Sequence, residues 1–525
     1  MKHMVFFGLV ALVLVAIPGF AAPPLDFLGP QASPEVVGTP RDPGARAAEM
    51  QELQQRLAAG RVGKALAQPM VLQLTKAERH QIDDTGRVER KYMVGVAKKV
   101  GTVIDFSSAR SLGQSTAGLA LGAARGTGDD GFVWTAAVRV PGATALRLHL
   151  TRVDLPKGAE LYVYNLAGQA FGPYRGRGPL GDGVLHTNTV FGEQLLLQVH
   201  SPADSGRAPQ LTLAEVGVMG ARFAAPRYGS KGVFDLNDLR AFTAQASNLC
   251  AGNADCVVNA SCQSSTVVNT AKDAVASILF QSGGSFFICT GGLVADTVAT
   301  SIIPYFLTAN HCVNSSGEAS SVETYFDYAT TCSNPNCTQP YNNAGDTVGA
   351  TLLATGTTTD YSLLRLSSAP ATPDGVATYL GWLSTPVANT NNLALYRISH
   401  PSGSPQAYSE GVVDTSKPTC RRLNRGNFIY SRDTVGGTEG GSSGSPVVNN
   451  AGQIVGQLYG ACGTNLNDVC DAGNNATVDG AFAVSFPGLA PFLNPGSGGS
   501  CSAVGAACTS NSQCCSNSCK GKTCR

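Results

Sequence analysis

The chain has 525 residues, a formal net charge of +1 and only 14% charged residues. This length predicts several domains, and the near-neutral charge argues against nucleic acid as the main partner, because phosphate neutralisation needs a clustered excess of Lys and Arg. The 61 glycines favour short strands joined by turns over long helices.

The first 22 residues have a basic start, a short apolar stretch and then small residues. This pattern is typical of a secretory signal peptide, cut near Ala21 or Ala22. The alternative is a membrane anchor, which Pro18 and the short apolar run disfavour. We therefore predict a secreted, extracellular protein with no stable membrane association after signal removal.

Residues 23–240 contain no cysteine and open with a Pro-rich stretch. The run RAAEMQELQQRLAAG predicts an amphipathic helix. The later segment AVRVPGATALRLHLTRVDLPKGAELYVYNLAG alternates apolar and polar residues between turns and predicts a small β-sandwich, as does EQLLLQVHS. Because all cysteines lie downstream, we expect this region to be processed differently from the rest of the chain, for example by removal after folding.

Residues 241–493 contain many short apolar runs separated by Gly, Asn and Ser turns. Such spacing predicts an all-β sandwich or barrel. The runs are ASILFQ, FFICTGGLV, PYFLTA, DYSLLRL, LALYRIS, QIVGQLYG and GAFAVSF. NPGSGGS at 494–500 predicts a flexible linker, and residues 501–525 form a last module with six cysteines in 25 residues. That module is too small for a hydrophobic core and needs crosslinks.

The 16 cysteines are even in number, begin at Cys250 and include no C-x-x-C pair. A zinc ribbon or a thioredoxin-type site is therefore disfavoured, and disulfides are predicted. We expect no metal and no cofactor.

The run GGSSGSP, which begins at Gly440, is the first candidate for chemistry. An acyl-transfer enzyme needs a hydroxyl, a base and donors for the oxyanion. Glycines allow positive φ angles, so the N–H groups of Gly441 and Ser443 could converge on one point. The alternative interpretation is an ordinary Gly/Ser loop.

A base and a carboxylate are also required. Only two histidines follow residue 241, namely His311 in YFLTANHCVN and His400 in RISHPSGSP. His400 lies in a turn and is expected to be structural. Asp360 precedes the apolar run YSLLRL, which would bury its flank, whereas most other aspartates of this region lie in polar loops.

TANHC, DYSLLRL and GSSGSP, in this order, resemble motifs of the trypsin-like (chymotrypsin-fold) serine peptidases. The chain further resembles the secreted bacterial lysyl endopeptidase branch over about residues 246–493. The shared features are the pair Cys250 and Cys256, CTG-x-LV, T-E-x-GSSGSP at Thr438–Pro446, and GQLYG.

The resemblance implies a mostly β fold with two six-stranded barrels and a site in the cleft between them. It implies His311 as general base, Asp360 as its orienting partner and Ser443 as nucleophile, with the N–H groups of Gly441 and Ser443 as oxyanion hole. Polypeptides are the implied substrates of a monomeric endopeptidase.

The resemblance also implies disulfides. It pairs Cys289 with Cys312 and Cys256 with Cys332, and it directs Cys250 to the region of Cys462. It assigns no partner to Cys262, Cys337, Cys420 and Cys470.

Two departures from the family pattern change the expected behaviour. Ser442 replaces the Asp that pairs with the new N-terminus in animal trypsin-like enzymes. Latency is therefore expected from residues 23–240, as a propeptide that assists folding and covers the cleft and is cut off between Arg240 and Leu249.

The second departure concerns the specificity pocket, predicted from Thr477, Gly437 and Tyr459. Thr477 takes the position of the acidic residue of lysine-cleaving relatives, and Asp479 would point to the opposite face of its strand. We therefore hypothesise that lysine preference is weakened or lost, with neutral or small side chains accepted.

The last module follows C-x6-C-x5-CC-x3-C-x4-C, which resembles the inhibitor cystine-knot pattern. The resemblance implies the pairs Cys501–Cys515, Cys508–Cys519 and Cys514–Cys524. A protease-resistant tail or a substrate anchor is favoured over inhibition or channel blocking.

Two other functions compete with a secreted peptidase. A catalytically silent binder could use the β domain as scaffold and the knot for recognition. A lipase-type hydrolase is disfavoured, because its G-x-S-x-G elbow comes before the histidine in the chain, whereas here the fifth residue is Ser445 and His311 comes first.

Overall fold

The computed structural model describes residues 29–42, 44–83, 91–224, 249–250, 253–298, 302–333, 335, 337, 345–495, 507–509 and 519–524. The predicted signal peptide, most of the predicted maturation junction and most of the linker lie outside these ranges. The same holds for Cys501, Cys514 and Cys515.

The N-terminal region, which we define as residues 29–224, contains fourteen strands and four α-helices among its described residues. The predicted helix is confirmed as α1. The helices are α1 Gly44–Gly60, α2 Gly63–Ala67, α3 Lys76–Asp83 and α4 Ala221–Ala224, with short 3-10 helices at Ser107–Ser111 and Ala203–Ser205. The strands are β1 Gln31–Ala32, β2 Glu35–Gly38, β3 Met70–Val71, β4 Tyr92–Asp105, β5 Thr116–Gly118, β6 Ala123–Gly126, β7 Phe132–Arg139, β8 Ala145–Asp154, β9 Glu160–Tyr164, β10 Ala170–Tyr174, β11 Leu185–His186, β12 Val190–Phe191, β13 Gln194–Ser201 and β14 Gln210–Met219.

Two sheets of this region form the predicted sandwich. One sheet has the order β10-β9-β13-β7-β6-β5, and the other contains β11-β8-β14-β4. Their alternating apolar side chains meet in one large core that includes Trp134, Leu148 and Leu197. The two sheets are therefore packed face to face, and α1 covers part of the outer face of the first sheet, where Leu57 packs against Tyr164 and Leu196.

Residues 249–493 hold the residues predicted for catalysis and are therefore called the catalytic region. This region contains sixteen further strands among the residues described. They are β15 Val258–Asn259, β16 Val275–Ser282, β17 Ser285–Leu293, β18 Tyr305–Ala309, β19 Glu323–Phe326, β20 Gly345–Val348, β21 Ala350–Gly356, β22 Tyr361–Leu366, β23 Val376–Tyr379, β24 Trp382–Leu383, β25 Ala394–Ser399, β26 Ala407–Val413, β27 Phe428–Val435, β28 Pro446–Val448, β29 Ile454–Gly463 and β30 Asn475–Ala481. The helices are α5 Thr266–Ala274, α6 Ser316–Ser320 and α7 Phe482–Leu493, with 3-10 helices at Ala260–Cys262 and Pro401–Gly403. Strands β31 Cys519–Lys520 and β32 Thr523–Cys524 belong to the last module.

These strands form the two expected barrels. The second barrel closes on itself, because β25, β26, β27, β30, β29 and β28 pair in sequence and β28 pairs again with β25. In the first barrel, β20-β19-β16-β17-β18-β22-β21 pair in order. Gly349, with a φ of 82°, separates β20 from β21, so these two strands act as one bent strand that completes the ring.

The N-terminal region adds strands to the catalytic region at three places. Strand β4 pairs antiparallel with β17, β1 pairs with β24, and β2 pairs with β23. A single twelve-stranded sheet therefore runs from the sandwich into the first barrel.

A buried ion pair lies at the same junction. Arg147 of β8 approaches Glu323 of β19 to 3.5 Å, and both side chains are buried. Thr189 donates two hydrogen bonds to Glu323, from its N–H and its hydroxyl. The two regions are thus joined by main-chain pairing and by charge.

One predicted strand is wrong in part. GAFAVSF contributes only Gly480 and Ala481 to β30, after which α7 begins at Phe482. The buried residues Phe482, Ser485 and Leu489 recur every three or four positions, which is the period of a helix face. Phe482 and Phe486 pack on Trp382.

The disulfide between Cys289 and Cys312 is present, and so is the one between Cys508 and Cys519. The predicted Cys256–Cys332 pair is wrong. Cys332 bonds to Cys262 instead, because Asn259, just before Cys262, donates a hydrogen bond to Thr331.

Cys256 bonds to Cys470, because its position beside the second barrel brings it next to Gly437. The predicted approach of Cys250 to Cys462 is also wrong. Cys250 pairs with Cys337 and Cys462 pairs with Cys420.

Across the described ranges, no helix combines the length and the apolar character needed to cross a membrane.

Candidate active site

His311 and Asp360 meet at the end of the first barrel. His311 follows β18, and Asp360 lies directly before β22, the neighbour of β18. Nδ1 of His311 lies 2.6 Å from Oδ2 of Asp360, and the N–H of His311 donates to Oδ1 at 2.9 Å. A carboxylate on Nδ1 fixes the tautomer in which Nε2 can accept a proton.

The backbone of Asp360 supports this geometry. Its φ of 61° is left-handed, a conformation in which Asp is tolerated better than most residues. Its carbonyl accepts a hydrogen bond from the N–H of Asn310 at 2.9 Å and is approached by Nε2 of Gln457 at 3.3 Å. The turn that carries the carboxylate is therefore fixed from both barrels.

Nε2 of His311 is buried and has no hydrogen-bond partner within the described part of the chain. The ring of Tyr459, a predicted pocket residue, lies edge-on to the imidazole at 6.1 Å between ring centroids. Tyr459 also contacts Phe428 edge-on. The imidazole thus has one nitrogen engaged by a carboxylate and the other available for a proton transfer.

Ser443 lies in the loop before β28, where the two barrels meet. Its carbonyl accepts a hydrogen bond from the N–H of Thr290 of β17 at 2.8 Å. Sγ of Cys312, the residue after His311, lies 3.8 Å from the same carbonyl oxygen. These contacts bring the serine from the second barrel next to the histidine of the first.

The loop before Ser443 presents unused N–H groups. Gly441 has a φ of 98°, and a Cβ there would lie 2.8 Å from the carbonyl oxygen of His400, so only glycine fits. Among the described residues, the N–H groups of Gly441 and Ser443 donate no hydrogen bond. Donors to backbone carbonyls are the neighbouring N–H groups of Ser442, Gly444 and Ser445. Two free donors on the same turn, one residue apart, are what an oxyanion requires.

The disulfide beside the histidine rules out one alternative chemistry. The ligand-type atoms of Cys289, His311 and Cys312 lie within 4.8 Å of one another. Because the two sulfurs are bonded to each other, they offer no thiolate to a zinc ion. The bridge instead fixes the backbone next to the imidazole.

His400, the other histidine of this region, is fully buried. Its ring stacks on Tyr328 at 5.3 Å, and its Nδ1 lies 2.9 Å from the carbonyl of Ser404. Burial lowers the pKa of His400 to about 4. The structural role predicted for this residue agrees with its position.

Of the predicted specificity residues, Thr477 adjoins a buried network of charges, whereas Tyr459 and Gly437 contact other groups. The hydroxyl of Thr477 donates to Oδ2 of Asp433 at 2.6 Å. Asp479 forms an ion pair with Arg397, whose Nη1 also approaches Asp433 to 3.8 Å. The prediction that Asp479 points to the face opposite Thr477 is therefore wrong, because the two residues are two positions apart on β30 and share one face. Burial raises the pKa of Asp433, although Arg397 acts in the opposite direction. Gly437 lies against the disulfide of Cys256, and a Cβ at position 437 would stand only 2.9 Å from Sγ of Cys256.

The sequence analysis did not identify Asp433. In FIYSRDTV this aspartate follows the polar residues Ser431 and Arg432, so it resembles an aspartate of a solvent-exposed loop. The signal that could have found it is its position in β27, two residues after Ser431, which lies opposite Thr477.

Ser442 is fully buried and accepts a hydrogen bond from the hydroxyl of Ser399 at 3.1 Å. A different carboxylate holds the start of the catalytic region. Glu439 accepts hydrogen bonds from the side chain of Asn253 and from the N–H of Ala254. The segment that follows the predicted maturation junction is therefore fastened to the loop that carries Ser443, without an ion pair at Ser442.

Residues 250–474 match the family model described as "Lysyl endopeptidase, C-terminal domain". This segment resembles the lysyl endopeptidases. A lysyl endopeptidase from Pseudomonas aeruginosa is 34% identical over 222 residues, which cover 39% of this chain. The chain spans 45% of the length of that relative.

Solved structures of proteases also match. The Rv3671c protease from M. tuberculosis, in its active form, is 15% identical, with 43% of this chain and 83% of that chain covered and a TM-score of 0.29. The HtrA-type protease AlgW is 18% identical, with 44% of this chain and 63% of that chain covered and a TM-score of 0.31.

Proposed function

We propose that this protein is a serine endopeptidase that hydrolyses peptide bonds through an acyl-enzyme. The observation that carries this proposal is the hydrogen bond between His311 and Asp360 close to the loop of Ser443. In that loop, the N–H groups of Gly441 and Ser443 donate no hydrogen bond among the described residues. The similarity of residues 250–474 to the lysyl endopeptidase family supports it.

Each side chain has a defined step. Nε2 of His311 takes the proton of Ser443 as Oγ attacks the peptide carbonyl, and the N–H groups of Gly441 and Ser443 stabilise the oxyanion. The imidazolium, stabilised by Asp360, then gives its proton to the leaving amine. A water molecule, deprotonated by the same imidazole, hydrolyses the acyl-enzyme and regenerates the Ser443 hydroxyl.

We further propose that the protein is exported by residues 1–22 as a preproenzyme and acts outside the cell as a monomer on polypeptides. Residues 23–240 would be the propeptide, 241–493 the protease domain, 494–500 a linker and 501–525 a knot-like tail. The strand pairing of β4 with β17 supports a folding role, because a paired neighbour stabilises an edge strand before its barrel has closed.

We propose that the enzyme has only a weak preference for lysine as the residue before the scissile bond. Asp433 supplies a carboxylate behind Thr477, but burial raises its pKa, and Arg397, which is also paired with Asp479, lies 3.8 Å away and offsets part of its charge. A lysine side chain would therefore gain less than from an uncompensated carboxylate, and neutral side chains would be accepted.

Labelling of the secreted protein with a fluorophosphonate tests the enzymatic proposal. We expect one label per molecule, lost in Ser443→Ala and retained in the matched control Ser442→Ala, whose hydroxyl is buried. A wild-type protein that takes no label would instead support the silent binder. N-terminal sequencing and the intact mass of the same sample test the proposed processing.

A further inference from the structure

Lys91 of the N-terminal region is held by a set of side chains that belong to the catalytic region. Its Nζ donates to Oε1 of Glu318 at 2.9 Å and to Oγ of Ser282 at 3.2 Å. The ammonium lies 5.4 Å from the ring centroid of Phe280 and 5.6 Å from that of Phe287. A carboxylate, a hydroxyl and two aromatic faces together form a site for a cation.

The carboxylate is fixed independently of Lys91. Oε2 of Glu318 accepts hydrogen bonds from the N–H groups of Asn314 and Ser315, at 2.8 and 3.2 Å, in the capping box of α6. Oε1 is left to Ser282 and the ammonium. Glu318 is only 8% exposed, so the chain holds a nearly buried negative charge beside the segment that carries His311.

This site adjoins the catalytic centre. Tyr92, next to Lys91, pairs with Ile288, which precedes Cys289 of the bridge beside His311. On the other side, a Cβ built at Gly440 would lie 3.3 Å from the ring of Tyr92. Gly440 is in the loop of Ser443. Tyr92 therefore touches both barrels beside the loop of Ser443, in the strand pairing by which polypeptides add to a strand edge.

The direction of β4 identifies the side of the scissile bond. Tyr92 lies opposite Ile288 and Val96 lies opposite Ser285, so β4 leads away from the catalytic bridge as it proceeds. A polypeptide in the same direction would have its scissile bond before the residue at the Lys91 position, so that the Lys91 and Tyr92 positions both lie on the leaving-group side. The Lys91 site lies on the first barrel, whereas the predicted pocket for the residue before the bond lies around Thr477 on the second.

We propose that Glu318, Ser282, Phe280 and Phe287 form a subsite for a lysine or arginine side chain on the leaving-group side of the scissile bond. In the precursor, Lys91 fills this subsite as a substrate-like side chain. The inference rests on the proposed function, because it names which polypeptides the same cleft prefers.

A purely structural role of Glu318, as the cap of α6, is the competing explanation. Glu318→Gln separates the two. The amide oxygen can keep the capping hydrogen bonds, while the amide N–H₂ group would face the cation and repel it. Glu410→Gln is the matched control, since Glu410 accepts a hydrogen bond from Tyr408 on β26 and has no part in the subsite.

The experiment uses secreted protein matured from the full chain. Fluorophosphonate titration first counts active sites. The specificity constant kcat/KM is then measured for fluorogenic peptides that differ only in the residues after the scissile bond, with lysine, norleucine or glutamate in the first or second position. Peptides that are cleaved too slowly for this measurement are compared by competition. Each is ranked by how strongly it slows the reaction of the fluorophosphonate with the enzyme.

In the wild type we expect kcat/KM for the peptide with lysine in one of these positions to exceed that for norleucine by about tenfold, and the glutamate peptide to have the lowest value. This is the size expected for a partly buried charge pair beside aromatic rings. Glu318→Gln should bring the lysine-to-norleucine ratio close to one, and Glu410→Gln should leave it unchanged. An equal ratio in wild type and Glu318→Gln overturns the inference. A wild-type ratio of one or less overturns it even if the variant is not secreted. Absence of labelling would instead overturn the proposed function.

Discussion

The N-terminal region and the catalytic region are both built from antiparallel strands, but different forces stabilise them. The N-terminal sandwich has no cysteine and depends on one large apolar core. The catalytic region carries five disulfides and a buried network of charged and polar groups around Arg397. Crosslinks limit the entropy of the unfolded chain, so the N-terminal region is expected to be the part that unfolds and is digested first.

The comparison also shows that similar side-chain pairs serve different ends. Nδ1 of His149 lies 3.0 Å from Glu215 in the N-terminal region, and Nδ1 of His311 lies 2.6 Å from Asp360 in the catalytic region. Only the second pair adjoins a serine in a loop with free N–H groups. The chemistry therefore depends on the surroundings of the pair and not on the pair itself.

The largest expected effect separates these two histidine–carboxylate pairs. Asp360→Asn should lower kcat by about 10⁴-fold, because the imidazole loses the partner that fixes its tautomer. Glu215→Gln should leave kcat of the matured enzyme unchanged. Steady-state kinetics normalised to active-site titration measures both, and an equal loss in the two variants would contradict the assignment of Asp360.

The next effect concerns the junction of the two regions. Arg147→Met in a Ser443→Ala precursor leaves Glu323 buried without its cation. We expect the free energy of unfolding to fall by about 3–5 kcal/mol, as for a broken buried ion pair. Urea denaturation measures the loss.

The matched control for this variant is Arg139→Met, because Arg139 pairs with Glu193 on the exposed surface of the same sandwich. Its cost should stay within about 1 kcal/mol. If both variants lose the same stability, the buried pair is not what fastens the regions.

A smaller effect is expected in the pH dependence of the free energy of unfolding of the catalytic region. His400 is neutral in the folded state, with a pKa of about 4, whereas an unfolded histidine titrates near 6.5. The unfolded state therefore binds the extra proton first, and stability is lost as the pH falls from about 6.5 towards 4. The loss attributable to His400 is about 3 kcal/mol.

Denaturation of the Ser443→Ala protein at pH 7.5 and pH 4.5 measures this loss. His400→Phe should flatten the dependence, since an aromatic ring can keep the stack on Tyr328 without a titrating nitrogen. An unchanged pH dependence in that variant would assign the effect to other groups.

The smallest effect concerns residue preference at the scissile bond. We expect wild-type protein to favour lysine over norleucine there by no more than about tenfold, because Arg397 offsets Asp433. Asp433→Asn should remove this preference, and Asp414→Asn, at a polar site beyond β26, should not. A peptide library measures the ratio, and exclusive cleavage after lysine would contradict a compensated pocket.

The sequence predicted the elements that depend on local pattern. The helix at α1 and the alternating strands of the sandwich follow from periodicity, and GAFAVSF was misassigned because a short apolar run fits a strand and a buried helix equally. The candidates His311, Asp360 and Ser443 could be named from residue type and order, because acyl transfer by a hydroxyl needs those groups.

The pairs Cys289–Cys312 and Cys508–Cys519 were predicted, but the other disulfide partners of the catalytic region and the charge network could not be predicted in this way. Cys256 and Cys262 are six residues apart, yet one bonds towards the second barrel and the other towards the first. Asp433 and Thr477 meet only because β27 pairs with β30. No local pattern encodes either contact.

The sequence by itself determined the strand periods, the position of the only histidines available to the catalytic region and the glycine-rich loop around Ser443, because these depend on neighbours along the chain. Only the tertiary structure decided that β4 adds to β17, that Lys91 reaches Glu318 and that Arg397 lies between two carboxylates. Such contacts join residues far apart in sequence, and their energies arise from burial and charge that exist only once the barrels have closed.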